Sequence, residues 1–141
     1  MDMNKEFCLS DYDLGWFCYD NNGKVAVLFS NGTTAVLPQA LMYYDYLYNY
    51  FYTKFNCDEK ANWENGELKS FTDAGLLVYD TDLNSIGTYS VCNNPLKSCH
   101  ISTLPKSIAD RLPKFEGVFS TTITIPIQPD VINLAKIKQI Q

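Results

Sequence analysis

Cys99 and His100 stand side by side, and His100 is the only histidine in the chain. A thiol beside an imidazole can supply a nucleophile and its base. Neighbouring residues on an extended chain point to opposite faces, however, so a structural or surface histidine is the expected role. Asp80 and Asp82 are two apart and face the same way on an extended chain, a spacing that can hold a divalent cation or do acid–base work. No glycine and distal glutamate follow to complete a calcium loop, so the pair reads as a polar turn between strands. The same holds for Asp11 and Asp13. Asp20-Asn21-Asn22-Gly23 resembles part of a calcium loop, yet it lacks the remaining oxygen ligands and is accounted for by turn chemistry. The seven glycines are scattered, with no GK[ST] phosphate loop and no GxSxG elbow. The five cysteines (Cys8, Cys18, Cys57, Cys92 and Cys99) form no CxxC pair, and one histidine is too few for a Cys/His zinc site. A protein without catalytic residues, metal or cofactor is the expectation.

The tyrosines carry more information. Six of the ten lie between Tyr43 and Tyr52, and a helix cannot turn all six inward. Some of Tyr43, Tyr46 and Tyr50 therefore belong at or near the surface. Tyrosine offers a large, rigid contact area with a polar tip and is enriched at protein interfaces. With Asp45 and Asn49 between them, these residues make a candidate recognition face. The plainer reading is a broad core seam whose hydroxyls reach solvent at its edge, and the two stand level.

Composition bounds the rest. The chain has 141 residues, 46% hydrophobic and 19% charged, as in one folded domain spanning residues 1–141. No apolar run approaches the roughly 20 residues that span a bilayer. The N-terminus MDMNKEFCLSDYD places acids where a secretory signal needs bases and an apolar block, so a cytoplasmic protein is expected. Residues 1–83 hold thirteen acids and five bases, and residues 84–141 hold three acids and six bases. An acidic surface repels phosphates, which argues against nucleic acid as a partner. It suits a basic protein, or serves only solubility.

Several elements must position these residues. Two apolar runs flank Asp20-Asn21-Asn22-Gly23, and Asn31-Gly32 separates the second from residues 33–37. Asn and Gly accept positive φ cheaply, so a three-stranded antiparallel meander is predicted over residues 15–19, 25–30 and 33–37. In its second strand Val25, Val27 and Phe29 share one face and Ala26 and Leu28 the other. Both faces are apolar, as in a central strand covered on two sides. Pro38 then opens a helix with a stripe of Leu41, Tyr44, Tyr48, Phe51 and Phe55. The competing alternation of Tyr44, Tyr46, Tyr48, Tyr50 and Tyr52 would suit a strand, but the segment of about 17 residues exceeds a usual one. Residues 56–68 read as a polar loop around Trp63, and residues 5–9 as a short helical turn. Strands are predicted over 76–79, 87–92 and 118–125, with a short helix from Pro105 that Pro113 stops. Residues 131–140 fit a terminal helix or an edge strand equally. The sum is an α+β domain: an antiparallel sheet of about five to seven strands, one main tyrosine-rich helix and a short second helix.

The segment GWFCYDNNGKVAVLFSNGTTAVLP, followed by GLLVYDTD, by Tyr89-x-Val91 with Asn94-Pro95-Leu96, and by Leu104-Pro105 with Leu112 and Phe115, resembles the layout of small bacterial immunity proteins. Such proteins partner polymorphic secreted toxins, including those of contact-dependent growth inhibition systems. The resemblance covers residues 14–120, and its motifs are turn and core signatures. It implies a cytoplasmic protein that binds the C-terminal domain of a cognate toxin, a nuclease among the options, and occludes its active site. On this chain's own surface the contact residues expected are Tyr43, Asp45, Tyr46 and Tyr50, with Asp58, Glu59 and Glu64 in the following loop. Two other classes stay open. One is a regulatory or scaffold module, monomeric or homodimeric through the tyrosine face. The other is a small hydrolase using Cys99, His100 or the Asp80 and Asp82 pair.

Overall fold

Residues 25–29 are apolar at every position, so both faces of any strand they form must leave water. The computed structural model, which describes residues 6–54 and 69–133, meets that demand with a sheet covered on both sides. Its elements in chain order are β1 (Glu6–Cys8), β2 (Gly15–Tyr19), β3 (Val25–Phe29), α1 (Gln39–Met42), α2 (Tyr44–Lys54), α3 (Lys69–Asp73), β4 (Leu77–Thr81), β5 (Thr88–Asn93), α4 (Lys106–Ala109), β6 (Thr122–Thr124) and β7 (Val131–Asn133). Short 3-10 turns occupy Leu9–Asp11 and Ile101–Thr103. The main sheet has the order β2-β3-β4-β5-β6, and β1 pairs with β7 in a separate two-stranded ribbon. The fold is α+β, with one main helix.

The helix-covered face collects Phe17, Val25, Val27, Phe29 and Val78 against Leu47 and Phe51 of α2, Phe71 of α3, and Ile108 and Leu112. Phe17 and Phe51 stack with ring centroids 4.2 Å apart. The other face packs Trp16, Cys18, Ala26, Leu28, Tyr79 and Tyr89 against Leu9, Ala35, Val36, Leu41, Phe119 and Ile125. The alternation expected for β3 is thus the one observed.

The first departure from expectation is the meander. Its first two strands pair antiparallel, Gly15 opposite Phe29 and Tyr19 opposite Val25. Residues 33–37 are not the third strand. The Asn31-Gly32 turn has the positive φ expected of it, 50° and 77°, but β4 takes the vacant edge of β3. It runs parallel to β3, Ala26 opposite Leu77 and Phe29 opposite Asp80, so the sheet is mixed, although its other pairings are antiparallel. Thr81 Oγ1 donates to the Phe29 carbonyl at 2.6 Å and Asn31 Nδ2 to Asp80 Oδ1 at 2.6 Å, which fastens that edge. Residues 33–37 instead cross under the other face with Ala35 and Val36 fully buried. Their carbonyls find partners outside any ladder: the Tyr89 hydroxyl donates to Ala35 O at 2.6 Å and Gln128 N–H to Thr34 O at 2.9 Å.

The predicted strand over residues 118–125 shortens to β6 for a similar reason. Phe119 N–H donates to Asp20 Oδ2 at 2.8 Å and the Tyr79 hydroxyl donates to Ser120 O at 2.5 Å, so residues 119–120 are engaged by side chains, and bonding to β5 begins only at Thr121, whose carbonyl accepts from Val91 N–H. The helical turn expected at residues 5–9 falls at Leu9–Asp11, with β1 before it. Of the two readings of residues 131–140, an edge strand is found for Val131–Asn133, and the remainder lies outside the described residues. Phe55 and the polar loop with Trp63 lie outside them too.

Asp20 joins these pieces. It is 1% exposed, and its carboxylate accepts from Asn22 N–H and Lys24 N–H at 3.0 Å each and from Phe119 N–H at 2.8 Å. The chain at residues 113–119 is thereby strapped along β2, where Phe115 N–H also donates to Tyr19 O. Each buried donor left without an acceptor costs about 1–3 kcal/mol. Asp20→Ala should therefore lower the unfolding free energy by about 2 kcal/mol in urea denaturation, since Phe119 N–H loses a buried acceptor while the part-buried Asn22 and Lys24 N–H groups lose theirs nearer to water. A loss below about 1 kcal/mol would mean that water replaces the carboxylate.

Candidate functional site

Helix α2 presents its tyrosines in two files because only Leu47 and Phe51 point straight into the core. The break at Tyr43 (φ −118°, ψ 29°) separates it from α1 and sets its rotation. On one flank Tyr44, Tyr48 and Tyr52 repeat at four-residue steps and stack along the helix, with ring centroids 5.9 and 4.0 Å apart. This file, with Asp13 and Asp45, borders a small polar cavity of about 280 Å³. The predicted stripe is corrected accordingly: Leu41 and Phe51 are core, whereas Tyr44 and Tyr48 are half-buried.

The other flank carries Tyr46, Asn49, Tyr50 and Thr53, spaced three and four apart. They face Pro105, Ser107 and Ile108 across a cavity of about 620 Å³. Pro105 opens α4 and Ile108 anchors it in the core, so the proline-started helix sets the far wall. Tyr50 is also a wall of a second cavity of about 500 Å³, shared with Asp73, Cys99, His100 and Leu104. Burial, and then the nearby Cys99, pushes the Tyr50 phenol up from its ordinary value.

Arg111 lies beside this groove, in contact with two of its lining residues, Tyr46 and Ser107. Its guanidinium carbon lies 4.9 Å from the Tyr46 ring centroid and 5.2 Å from that of Tyr43. Its Nη1 donates to Ser107 O at 2.8 Å. Both rings remain substantially exposed, Tyr43 at 40% and Tyr46 at 48%. A cation over an aromatic face is worth about 0.5–1 kcal/mol at an exposed site, so the cluster orders Arg111 without hiding it.

The expected contact residues separate as follows. Tyr43 and Tyr46 come together through Arg111, and Tyr50 lines the adjoining cavity. Asp45 is exposed but belongs to the opposite flank, beside Tyr44 and Tyr48. Asp58, Glu59 and Glu64 lie outside the described residues. Arg111, Thr53, Pro105, Ser107 and Ile108 were not anticipated. The available cue was the inward spacing of Ile108 and Leu112, which leaves Arg111 on the flank of the same segment.

No family model matches this chain, and neither a curated protein nor a solved structure matches it.

The groups that suggested catalysis are engaged in local structure. Cys99 Sγ lies 4.0 Å from Thr103 Oγ1 and 4.0 Å from the carbonyl oxygen of His100, not against the imidazole. His100 Nδ1 accepts from Ser102 N–H at 3.1 Å and lies 2.7 Å from Ser102 Oγ, which leaves the neutral ring's proton on Nε2. The ring packs over Gly23, whose φ of +78° and lack of a Cβ the contact requires. Asp80 accepts from Asn31 and Thr81, and Asp82 Oδ1 accepts from Asn84 N–H at 2.9 Å in a turn. Among the described residues no three metal-ligating side chains converge.

Burial raises the Cys99 thiol, only partly offset by its hydrogen bond to Thr103. A raised thiol holds less thiolate at any given pH, and the thiolate is the reactive form. Iodoacetamide at about pH 8 should therefore alkylate Cys99 more slowly in the native protein than in the unfolded chain, the gap narrowing as pH rises. Peptide mass mapping reads the rates. Faster labelling in the native state would reveal an activated nucleophile and favour the hydrolase reading.

Proposed function

We propose that this protein is a non-enzymatic immunity protein that binds a secreted toxin domain through the α2–α4 face and blocks it by occlusion. The observation that carries the binding reading is the exposed Tyr43–Arg111–Tyr46 cluster beside an open cavity. Tyrosine and arginine are the residue types that dominate interface hot spots; here Tyr46 is held on α2, with Tyr43 just before that helix and Arg111 just after α4. The arginine stack limits the rotamer freedom that docking would otherwise cost. The resemblance over residues 14–120 supports a toxin as the partner, and it carries with it a cytoplasmic site of action. No helix among the described residues is long and apolar enough to cross a membrane.

Occlusion requires no reacting group, which agrees with a face built from aromatic rings, one guanidinium and amide or hydroxyl side chains. Co-expression with the toxin domain encoded beside this gene should give a stable complex. Within it, Tyr46→Ala should weaken the dissociation constant by roughly 30-fold, the level of a hot-spot truncation, and Tyr43→Ala and Tyr50→Ala by roughly 10-fold. Calorimetry on the purified complex measures all three. Unchanged affinity in every tyrosine variant would place the interface elsewhere. A homodimer in sedimentation that Tyr46→Ala dissolves would replace the toxin reading with the self-assembling module.

A further inference from the structure

The aromatic face differs in charge from the chain as a whole. The protein carries a net charge of −5, yet Arg111 has no carboxylate partner among the described residues. Its sequence neighbour Asp110 is occupied by Lys106 at 2.6 Å. Arg111 is held by Ser107 O and by the rings of Tyr43 and Tyr46. One of its five N–H donors is thus engaged within the protein, and the planar fork is fixed in orientation.

The guanidinium also adjoins the larger cavity. Tyr46 is both the ring under the cation and a wall of the cavity, while Ser107, whose carbonyl fixes Nη1, stands in the facing wall. The ring faces of Tyr46 and Tyr50 with Pro105 and Ile108 make that space largely apolar, and its volume of about 620 Å³ is that of a ligand-sized site. A fixed cation at the rim of an apolar cavity matches a group that is anionic at one end and apolar at the other.

We infer that this face recognises an acidic–aromatic element of its protein partner, a carboxylate pairing with Arg111 and an adjacent aromatic side chain filling the cavity between α2 and α4. The inference rests on the reading of this face as the docking surface. It reverses the expectation of a basic partner for this part of the molecule. A nucleic-acid backbone is a poorer match, because it calls for a row of cations and Arg111 stands between two tyrosines with Lys106 already paired.

The test uses fragments and needs no toxin. The isotope-labelled protein is titrated with N-acetylphenylalaninate, with its uncharged amide, and with inorganic phosphate, following backbone amide shifts by NMR. The acid should perturb Tyr46, Asn49, Tyr50, Ser107 and Arg111 with millimolar affinity, roughly fivefold tighter than the amide. Arg111→Gln should abolish the difference between acid and amide, and Arg111→Lys, which keeps the charge without the fork, should retain part of it. Thermal unfolding of each variant establishes that it is folded. Equal affinity for acid and amide, perturbation of a different surface, or phosphate binding as tightly as the acid would each overturn the inference. A complex with toxin that depends on Tyr46, in a protein indifferent to the carboxylate, would refute this inference while leaving the proposed function intact.

Discussion

All five side chains of β3 are buried, three toward the helices and two toward the opposite layer, and both its edges carry backbone partners. Full burial of an aliphatic or aromatic side chain contributes about 1.5–3 kcal/mol. Val25, Val27, Leu28 and Phe29 together therefore rival the whole net stability of an ordinary domain, about 5–15 kcal/mol. A strand so demanding needs a layer on each face, and supplying both layers fixes the rest of the molecule. The helical layer brings α2 and α4 side by side over Phe17, Val27 and Val78. Both helices anchor in the same buried cluster, and the groove lies between them.

The second layer is built mostly from irregular chain, which raises the problem of buried backbone polar groups. Side chains answer much of it, three of them in particular. Asp20 gathers three backbone N–H groups, Tyr89 donates to Ala35 O while accepting from Trp16 Nε1 at 3.3 Å, and Tyr79 donates to Ser120 O. Burial drives the Tyr89 phenol up to about 12, its hydrogen bonds opposing the shift. In those segments they satisfy Ala35 O, Phe119 N–H and Ser120 O, backbone groups outside the named strands.

That substitution explains which parts of the fold were legible in the sequence. The two-sided burial of β3, the Asp20–Gly23 turn, the α2 helix and the proline-opened α4 all follow from local pattern. Residues 33–37 and 118–125 looked like strands because they are apolar or β-branched; Ala35 and Val36 are buried in the first, and Phe119, Ile123 and Ile125 in the second. Their strand pairing was lost to competition from distant groups, β4 in one case and Asp20 in the other. The site divides in the same way. Helical geometry requires only that some of Tyr43, Tyr46 and Tyr50 reach the surface, and Tyr43 and Tyr46 do while Tyr50 is half-buried; Asp45 falls on the other flank of α2. Arg111 joins the tyrosines from a remote segment, and no local spacing announces such a meeting.

The parallel pairing of β3 with β4 has a consequence for how the chain reaches this state. Strands β2 and β3 can zip through a tight turn, but β4 joins only when the ends of the connection from Ser30 to Leu76 are brought together. Closing a loop of that length costs roughly 3 kcal/mol of chain entropy before the new pairing returns anything. Long-range pairing of this kind slows folding. Leu47 and Phe51 pack α2 onto the β2–β3 hairpin, Phe51 stacking on Phe17, and every residue so anchored shortens the loop left to close and lowers the entropic cost of admitting β4.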